Sequence, residues 1–292
     1  MRIALFGKSV SEAIQPHIQQ LIDKLESVGA EISIYKSFHE KIQNLVTFHK
    51  DFKCFSSHEE LTDNTDFICS IGGDGTFLDT LYLVRDSGIP IIGVNLGRLG
   101  FLSSISRDEI DFAVNCLRNG KYRLDQRTLL QLEQPAHLFG EVDYALNELS
   151  VSRKESASLI LIHIYIDDKF LNSYWADGII ISTPTGSTAY SLSCGGPIVT
   201  PGSENFVITP IATHNLTVRP IVIRDDSKIR IKLEGRDKAY FASLDSRHES
   251  IGSDQELQIK KCNFKINLIQ LENKTFFTTI RDKLNWGLDI RN

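Results

Sequence analysis

Gly72-Gly73-Asp74-Gly75-Thr76 sets a single carboxylate among three glycines, directly after the apolar run Phe67-Ile68-Cys69-Ser70-Ile71 and before Phe77-Leu78-Asp79-Thr80-Leu81-Tyr82-Leu83-Val84. The pattern reads as a strand, a glycine turn and a helix start. Glycines admit positive φ and let a ligand approach the main chain, while the following helix aims unpaired N–H groups and its positive dipole end at the same place. That combination suits a phosphate or a nucleotide. An acid there repels phosphate, so Asp74 points to the handling of a metal or a proton. The alternative is that Asp74 caps a helix begun near Thr76.

A second segment crowds hydroxyls, glycines and one acid together: Trp175-Ala176-Asp177-Gly178, a strand through Ser182, then Thr183-Pro184-Thr185-Gly186-Ser187-Thr188-Ala189-Tyr190-Ser191-Leu192-Ser193-Cys194-Gly195-Gly196-Pro197. It predicts a strand, a turn and a short helix from about Ser187. Such a stretch offers short hydrogen-bonding groups to a sugar or a nicotinamide amide without filling the pocket. Equally, the Thr-Pro-Thr-Gly turn caps that helix. Gly93-Val94-Asn95-Leu96-Gly97-Arg98-Leu99-Gly100-Phe101-Leu102 is a further glycine-punctuated turn, open to a structural or a ligand-contacting reading. Asn147-Glu148 places an amide and a carboxylate at a strand start, by itself a turn.

The first 120 or so residues alternate apolar runs with helical patterns. Strands are expected at 3–6, 31–35, 67–71 and 91–94. A helix over 11–28 would bury Ile14, Ile18, Leu21, Ile22 and Leu25 and start or bend near Pro16. Another is expected at 39–49, and a third at 107–118 with Ile110, Phe112, Ala113, Val114 and Leu117 available for burial. Alternation of this kind implies a parallel sheet flanked by helices, with ligands beyond the carboxyl ends of the strands. From Tyr122 the texture turns to strand after strand: 122–133, 144–152, 159–166, 179–183, 221–224, 229–234, 238–244, 256–260 and 263–271. Residues 229–234 alternate cleanly, whereas 159–166 is apolar on both faces, with His163 a hydrogen-bonded core residue. The expected fold class is therefore an α/β N-terminal domain with a parallel, Rossmann-like sheet plus a C-terminal β-rich, sandwich-like domain. The expected boundaries are 1–121, 122–275 and a 276–292 segment returning to the first domain.

A chain of 292 residues exceeds the usual single core, in line with two domains. A formal charge of −5 gives no general reason to bind nucleic acid or an anionic membrane. No apolar run approaches the ~20 residues that span a bilayer, and the N-terminal run is too short for a signal-peptide core. Five scattered cysteines without a Cys-x-x-Cys pair read as reduced thiols, which predicts a cytoplasmic protein; Cys69 reads as a core residue. The eight histidines show no zinc-ligand spacing, so no protein-encoded metal site is expected.

In order and approximate spacing, these pieces resemble the NAD kinase family: the Gly72 to Thr76 loop, Gly93-Val94-Asn95 with Gly97 and Gly100-Phe101-Leu102, Asn147-Glu148, and Asp177-Gly178 running through Thr183 to Tyr190. Lys283-Leu284-Asn285-Trp286-Gly287 is similar to the family's terminal segment. The resemblance covers roughly residues 65 to 270. It implies an active site between the two domains and transfer of the ATP γ-phosphoryl group to the 2′-hydroxyl of the adenosine ribose of NAD, giving NADP, with Mg²⁺ as cofactor. By the resemblance, Asp74 accepts the hydroxyl proton and Gly75 approaches the dinucleotide in a loop with Gly72, Gly73 and Thr76. Asn147 and Glu148 hold the ribose and adenine region and Asp177 the nicotinamide side. Trp175, Thr185 and the run Thr188, Ala189, Tyr190, Ser191, Leu192 and Ser193 line the NAD pocket, and Ala212 matches a position often completed in a neighbouring subunit. The resemblance thus implies a homo-oligomer, a dimer or a tetramer.

The chain departs from the family in two places. Asp245-Ser246-Arg247 stands where the family often has Asp-Gly-Gln, leaving Arg247 as a candidate cation for a phosphate. Trp175 stands where some relatives are basic, so stacking would replace an ion pair. No Walker-type loop is present to hold ATP. The rival readings are a lipid or sugar kinase sharing the glycine loop, and a sensor that binds NAD or NADP without turnover.

Overall fold

The structure is a computed structural model that describes residues 1–62, 65–97, 100–103, 105–154, 159–235, 239–272 and 274–286. The chain divides into two units, one of residues 1–126 with 266–292, the other of residues 127–265.

The first unit is built from β1 (Arg2–Gly7), α1 (Gln15–Ser27), β2 (Glu31–Tyr35), α2 (Lys36–Ile42), β3 (Phe52–Phe55), α3 (His58–Thr62), β4 (Phe67–Ile71), α4 (Asp74–Val84), β5 (Ile91–Asn95), β6 (Ile105–Ser106) and α5 (Ile110–Arg118), with the start of β7 (Tyr122–Gln134). Its strands run in the order β3-β2-β1-β4-β5 and are parallel. The order reverses between β1 and β4, and such a switch point opens a crevice beyond the carboxyl ends of the strands. Gly7 and Ile71 are partners there, so the turn after β4 opens at the switch. The apolar face of α1, Ile18, Leu21, Ile22 and Leu25, packs with Leu5, Ile34 and Ile71 from the strands and Ile110, Val114 and Leu117 from α5. Phe112, expected in that core, is 47% exposed, because it lies off the buried stripe of α5.

In this unit one alternative is decided, one helix shifts and two elements were not expected. Pro16 sits in the first turn of α1, where its missing N–H costs nothing, so of the two outcomes expected at Pro16 the helix starts there. The helix expected at 39–49 begins at Lys36, directly after β2, and ends at Ile42. Side chains of α1 take the backbone beyond it: Gln15 donates to the Leu45 carbonyl, Gln19 accepts from Thr47 N–H and Glu26 accepts from His49 N–H. The strand β3 and helix α3 were not legible in the apolar pattern.

The second unit carries the rest of β7, then β8 (Tyr144–Ala145), β9 (Glu148–Arg153), β10 (Ile160–Ile166), β11 (Lys169–Ala176), β12 (Gly178–Ser182), a 3-10 turn at Gly186–Thr188, α6 (Tyr190–Ser193), β13 (Asn205–Ile211), β14 (Ile221–Arg224), β15 (Ile229–Glu234), β16 (Ala239–Leu244), β17 (Arg247–Gly252) and the start of β18 (Leu257–Leu271). One antiparallel sheet runs β14-β13-β12-β9-β16-β17. A second runs β11-β10-β15 and on to the start of β18. Leu149, Val151, Ile179, Phe206 and Tyr240 from one share a core with Ile162, Ile164, Ile231 and Ile259 from the other, which makes a sandwich. Residues 160–166 bury alternate side chains rather than both faces. His163 is half-buried, its Nδ1 2.7 Å from Ser173 Oγ. The two strands expected at 256–260 and 263–271 are the single strand β18, and the last helix, α7 (Phe276–Leu284), belongs to the first unit and is capped by Thr275.

Candidate active site

In the first unit, the glycine loop is shaped by what a side chain would hit. Gly72 has φ +150°, and a Cβ on it would lie 2.5 Å from Thr76 Oγ1. Its N–H donates to Val94 O at 2.9 Å, tying the turn to the end of β5. Gly73 and Gly75 are exposed and have open space where a Cβ would be, so the first turn of α4 can be approached by a ligand. Gly73 is the N-cap residue, and no side chain caps the helix.

The Asp74 carboxylate therefore does not serve as a cap. It accepts three consecutive backbone N–H groups from another loop: Phe101 on Oδ2 at 2.8 Å, Leu102 on Oδ1 at 3.1 Å and Ser103 on Oδ1 at 3.0 Å. Oδ1 thus has two donors, whereas Oδ2 has one and keeps a lone pair for a further proton or ligand. A Cβ on Gly100 would fall 1.8 Å from Asp74 Oδ1, and one on Gly93 would fall 2.6 Å from Ser103 Cα. These two glycines explain the second glycine-punctuated turn: they let the 100–103 loop close over the acid. Arg98 and Leu99 of that turn lie outside the described residues. A cavity of about 430 Å³ is lined by Gly7 and Lys8 at the end of β1, Tyr35 at the end of β2 and Asp79 of α4. Lys8 pairs there with Asp79.

In the second unit, Asn147 and Glu148 are held from two sides. The Asp245 carboxylate accepts from Leu146 N–H at 2.9 Å, Asn147 N–H at 2.9 Å and Glu148 N–H at 3.1 Å. Those amides have left the ladder, which is why the strand expected over 144–152 is broken into β8 and β9. On the other side, Thr183 N–H donates to Asn147 O at 2.9 Å and Thr183 Oγ1 to Leu146 O at 2.5 Å. A Cβ on Gly186 would lie 2.1 Å from Asn147 O, so only glycine lets the Thr183 to Gly186 turn pack this closely.

Glu148 Oε2 is buried and has no protein partner among the described residues. Burial, then the neighbouring Asp245 charge, pushes the Glu148 carboxyl up to about 8, with the Tyr190 amide pulling the other way. Asp245 is also pushed above the usual carboxylate range by burial, against the pull of its three amides. A carboxyl that is protonated near neutrality can donate as well as accept, which suits a ring nitrogen or a sugar oxygen.

The hydroxyl-rich segment divides into internal and available groups. Ser187 donates to Pro184 O, and Ser191 Oγ lies 2.8 Å from Thr209 Oγ1; both are fully buried. Thr185 is buried and accepts from Arg127 at 3.2 Å, and Thr188 donates to Thr185 O. Tyr190 at 44% and Ser193 are exposed, and Ala189 and Leu192 are partly so. Asp177 pairs with Arg153 at 3.0 Å, a contact set by the β9–β12 register. Trp175 is 53% exposed, and its carbonyl accepts from His214 N–H in the turn that follows Ala212, itself exposed at φ 45°. Arg247 donates to the Val142 carbonyl and, at 2.7 Å, to the Tyr144 carbonyl. Arg153 escaped sequence reasoning, as did the roles of Asp245 and of the amides of 101–103, because each is joined to its partner by tertiary register.

Other reactive groups lie apart from this chemistry. Cys69 is in the core, and burial pushes its thiol up to about 12. Asp23, Glu26 and His49 gather ligand atoms within 4.8 Å of one another, but Glu26 already accepts from His49 and Lys50 N–H.

The model of the ATP-NAD kinase N-terminal domain matches residues 15–122, and that of the ATP-NAD kinase C-terminal domain matches residues 146–271. The NAD kinase of Cytophaga hutchinsonii is 45% identical over all of both chains. The chain belongs to the NAD kinase family. The NAD kinase of Flavobacterium johnsoniae is 44% identical, again over all of both chains. Among solved structures, yeast NADH kinase complexed with NADH matches with a TM-score of 0.85 at 25% identity, covering 100% of this chain and 89% of that one. The NAD kinase from Archaeoglobus fulgidus, in complex with ATP, shares the fold with a TM-score of 0.75 at 24% identity, over 98% and 99% of the two chains. The α/β unit with a parallel sheet and the antiparallel β-rich unit are the NAD kinase fold. No helix among the described residues is long and apolar enough to cross a membrane.

Proposed function

We propose that this chain, an enzyme of the NAD kinase family, transfers the γ-phosphoryl group of ATP to the 2′-hydroxyl of the adenosine ribose of NAD, releasing NADP and ADP. The observation that carries the reading is Asp74, a carboxylate oriented by three amides beside open glycines at a helix start, in a chain that matches NAD kinases end to end. A sugar hydroxyl is a poor acid, so Asp74 takes its proton late, through Oδ2, as the new P–O bond forms. The N–H groups of the first turn of α4 receive phosphate oxygens. Most of the acceleration comes from alignment of acceptor and donor.

Asn147 and Glu148 hold the adenine and ribose, supported by the unpartnered Glu148 Oε2. Asp177 faces the nicotinamide side with Trp175, and Tyr190 lines the pocket. Ser187 and Ser191, with their hydroxyls bonded internally, shape that pocket rather than touch the dinucleotide.

Mg²⁺ fits as a companion of ATP, since the loop offers N–H groups suited to phosphate rather than a cage of carboxylates. Bound to the triphosphate, it would neutralise charge there. The ATP donor and the NAD acceptor are supported by the family description, and NADH as acceptor by the yeast relative. A cytoplasmic location is supported by five free thiols, three of them buried. Self-association as a dimer or tetramer is supported by the exposed Trp175 and the 87% exposed Leu216.

The test is an end-point assay of purified protein with NAD, ATP and Mg²⁺, read through an NADP-specific dehydrogenase. NADP formation supports the proposal. NAD binding without product would replace it with the sensor reading, and neither binding nor product would redirect the search to sugar and lipid acceptors.

A further inference from the structure

The hairpin that joins β16 to β17 turns through Asp245 and Ser246, with Leu244 and Arg247 paired across it. Asp245 sits at φ 52°, a left-handed conformation that a non-glycine residue keeps only where its surroundings fix it. Its N–H donates to Glu148 O at 3.0 Å, and its carboxylate gathers the amides of Leu146, Asn147 and Glu148. Two residues on, Arg247 reaches the same stretch of backbone from the other end. Its two terminal nitrogens donate to the carbonyls of Val142 and Tyr144, and the guanidinium lies 5.5 Å from the Phe139 ring centroid.

An acceptor-only side chain thus gathers N–H groups while a donor-only side chain gathers C=O groups, along one run of seven residues that ends at Asn147-Glu148. The planar fork of an arginine presents two donors at a fixed spacing, which a lysine or an uncharged residue does not reproduce. We infer that Arg247 is a positioning residue: with Asp245 it clasps the 142–148 segment and thereby sets the direction in which Asn147 and Glu148 meet the dinucleotide. This is a different role from that of a cation for a phosphate. The link to NAD rests on the function proposed above, whereas the clasp does not.

Two measurements on wild type, Arg247→Met and Arg247→Lys separate these roles: steady-state kinetics with NAD and ATP, and amide hydrogen exchange across residues 142–148. In Arg247→Met, KM for NAD rises about tenfold, equivalent to about 1.4 kcal/mol, while kcat stays within about threefold and KM for ATP is unchanged. Amides of Leu146, Asn147 and Glu148 exchange faster in the same variant, and Arg247→Lys restores neither the KM nor the protection. An unchanged KM for NAD in the folded Met variant overturns the inference. So does full restoration by lysine, which would mean that charge alone matters, and so does an equal rise in KM for both substrates. Should Arg247→Met fail to fold, the lysine variant carries the exchange comparison. Should wild type make no NADP, the proposed function fails by itself, and faster exchange in the variants still supports the clasp while unchanged exchange removes it.

Discussion

Asp74 in the first unit and Asp245 in the second are built alike, since each carboxylate accepts the N–H groups of three consecutive residues in a distant loop. What differs is what lies beside them. Asp74 opens a helix of eleven residues between two exposed glycines. Asp245 sits in a tight hairpin next to a second carboxyl, and its amides belong to the residues that present Asn147 and Glu148. A carboxylate bound by three amides is therefore not by itself a catalytic signature. Oδ2 carries one donor in both acids, so in the function proposed above it is access to open space that gives Asp74 the chemistry and enclosure that gives Asp245 the holding of the site.

Substitutions around the two acids should separate these roles. The largest effect is expected for Gly100→Ala, whose Cβ would fall 1.8 Å from Asp74 Oδ1. Either the acid or the 100–103 loop must move, and NADP formation should drop by about 10² or more, the scale of a displaced general base; turnover within a few-fold of wild type would break the proposed coupling of loop and acid. Next, Asp245→Ala leaves three amides without their acceptor. Net destabilisation of about 3 kcal/mol is expected, with a melting midpoint lower by roughly 6 to 12 °C, and an unshifted midpoint would remove the holding role.

Glu148→Gln acts on the pH dependence of stability. The Glu148 carboxyl is raised from 4.5 to about 8, so the folded state binds more protons than the unfolded state between those values. The contribution of this group to stability is therefore complete below about pH 4.5 and is lost as pH rises towards 8. Glutamine cannot ionise, so the variant should lose less midpoint between about pH 5 and 8 than wild type; parallel curves would show that Glu148 is ionised throughout.

How much of this was legible beforehand follows from which interactions are local. The strand at 67–71, the glycine turn and the start of α4 are adjacent in sequence, so apolar run and glycine spacing located Asp74 directly. Gly100 was seen as part of a turn, but its purpose depends on Asp74, twenty-six residues away, and no periodicity carries that. The break between β8 and β9 was illegible for a related reason: Tyr144 to Ser152 has the composition of one strand, and a carboxylate about a hundred residues downstream removes its amides from the ladder. Arg247 looked like a phosphate ligand because its charge is visible in sequence and its carbonyl partners are not. Conversely, the hydroxyls of Ser187 and Ser191 looked available until packing turned them inward.

Steady-state NADP formation by Asp74→Ala, with its melting midpoint recorded on the same sample, tests the central claim most directly. A loss in kcat of at least about a hundredfold is predicted, with a lowered midpoint in a protein that still folds, since the amides of buried Leu102 and Ser103 lose their acceptor. Turnover within about tenfold of wild type, in a protein that folds, would contradict the assignment of Asp74 as the group that takes the proton.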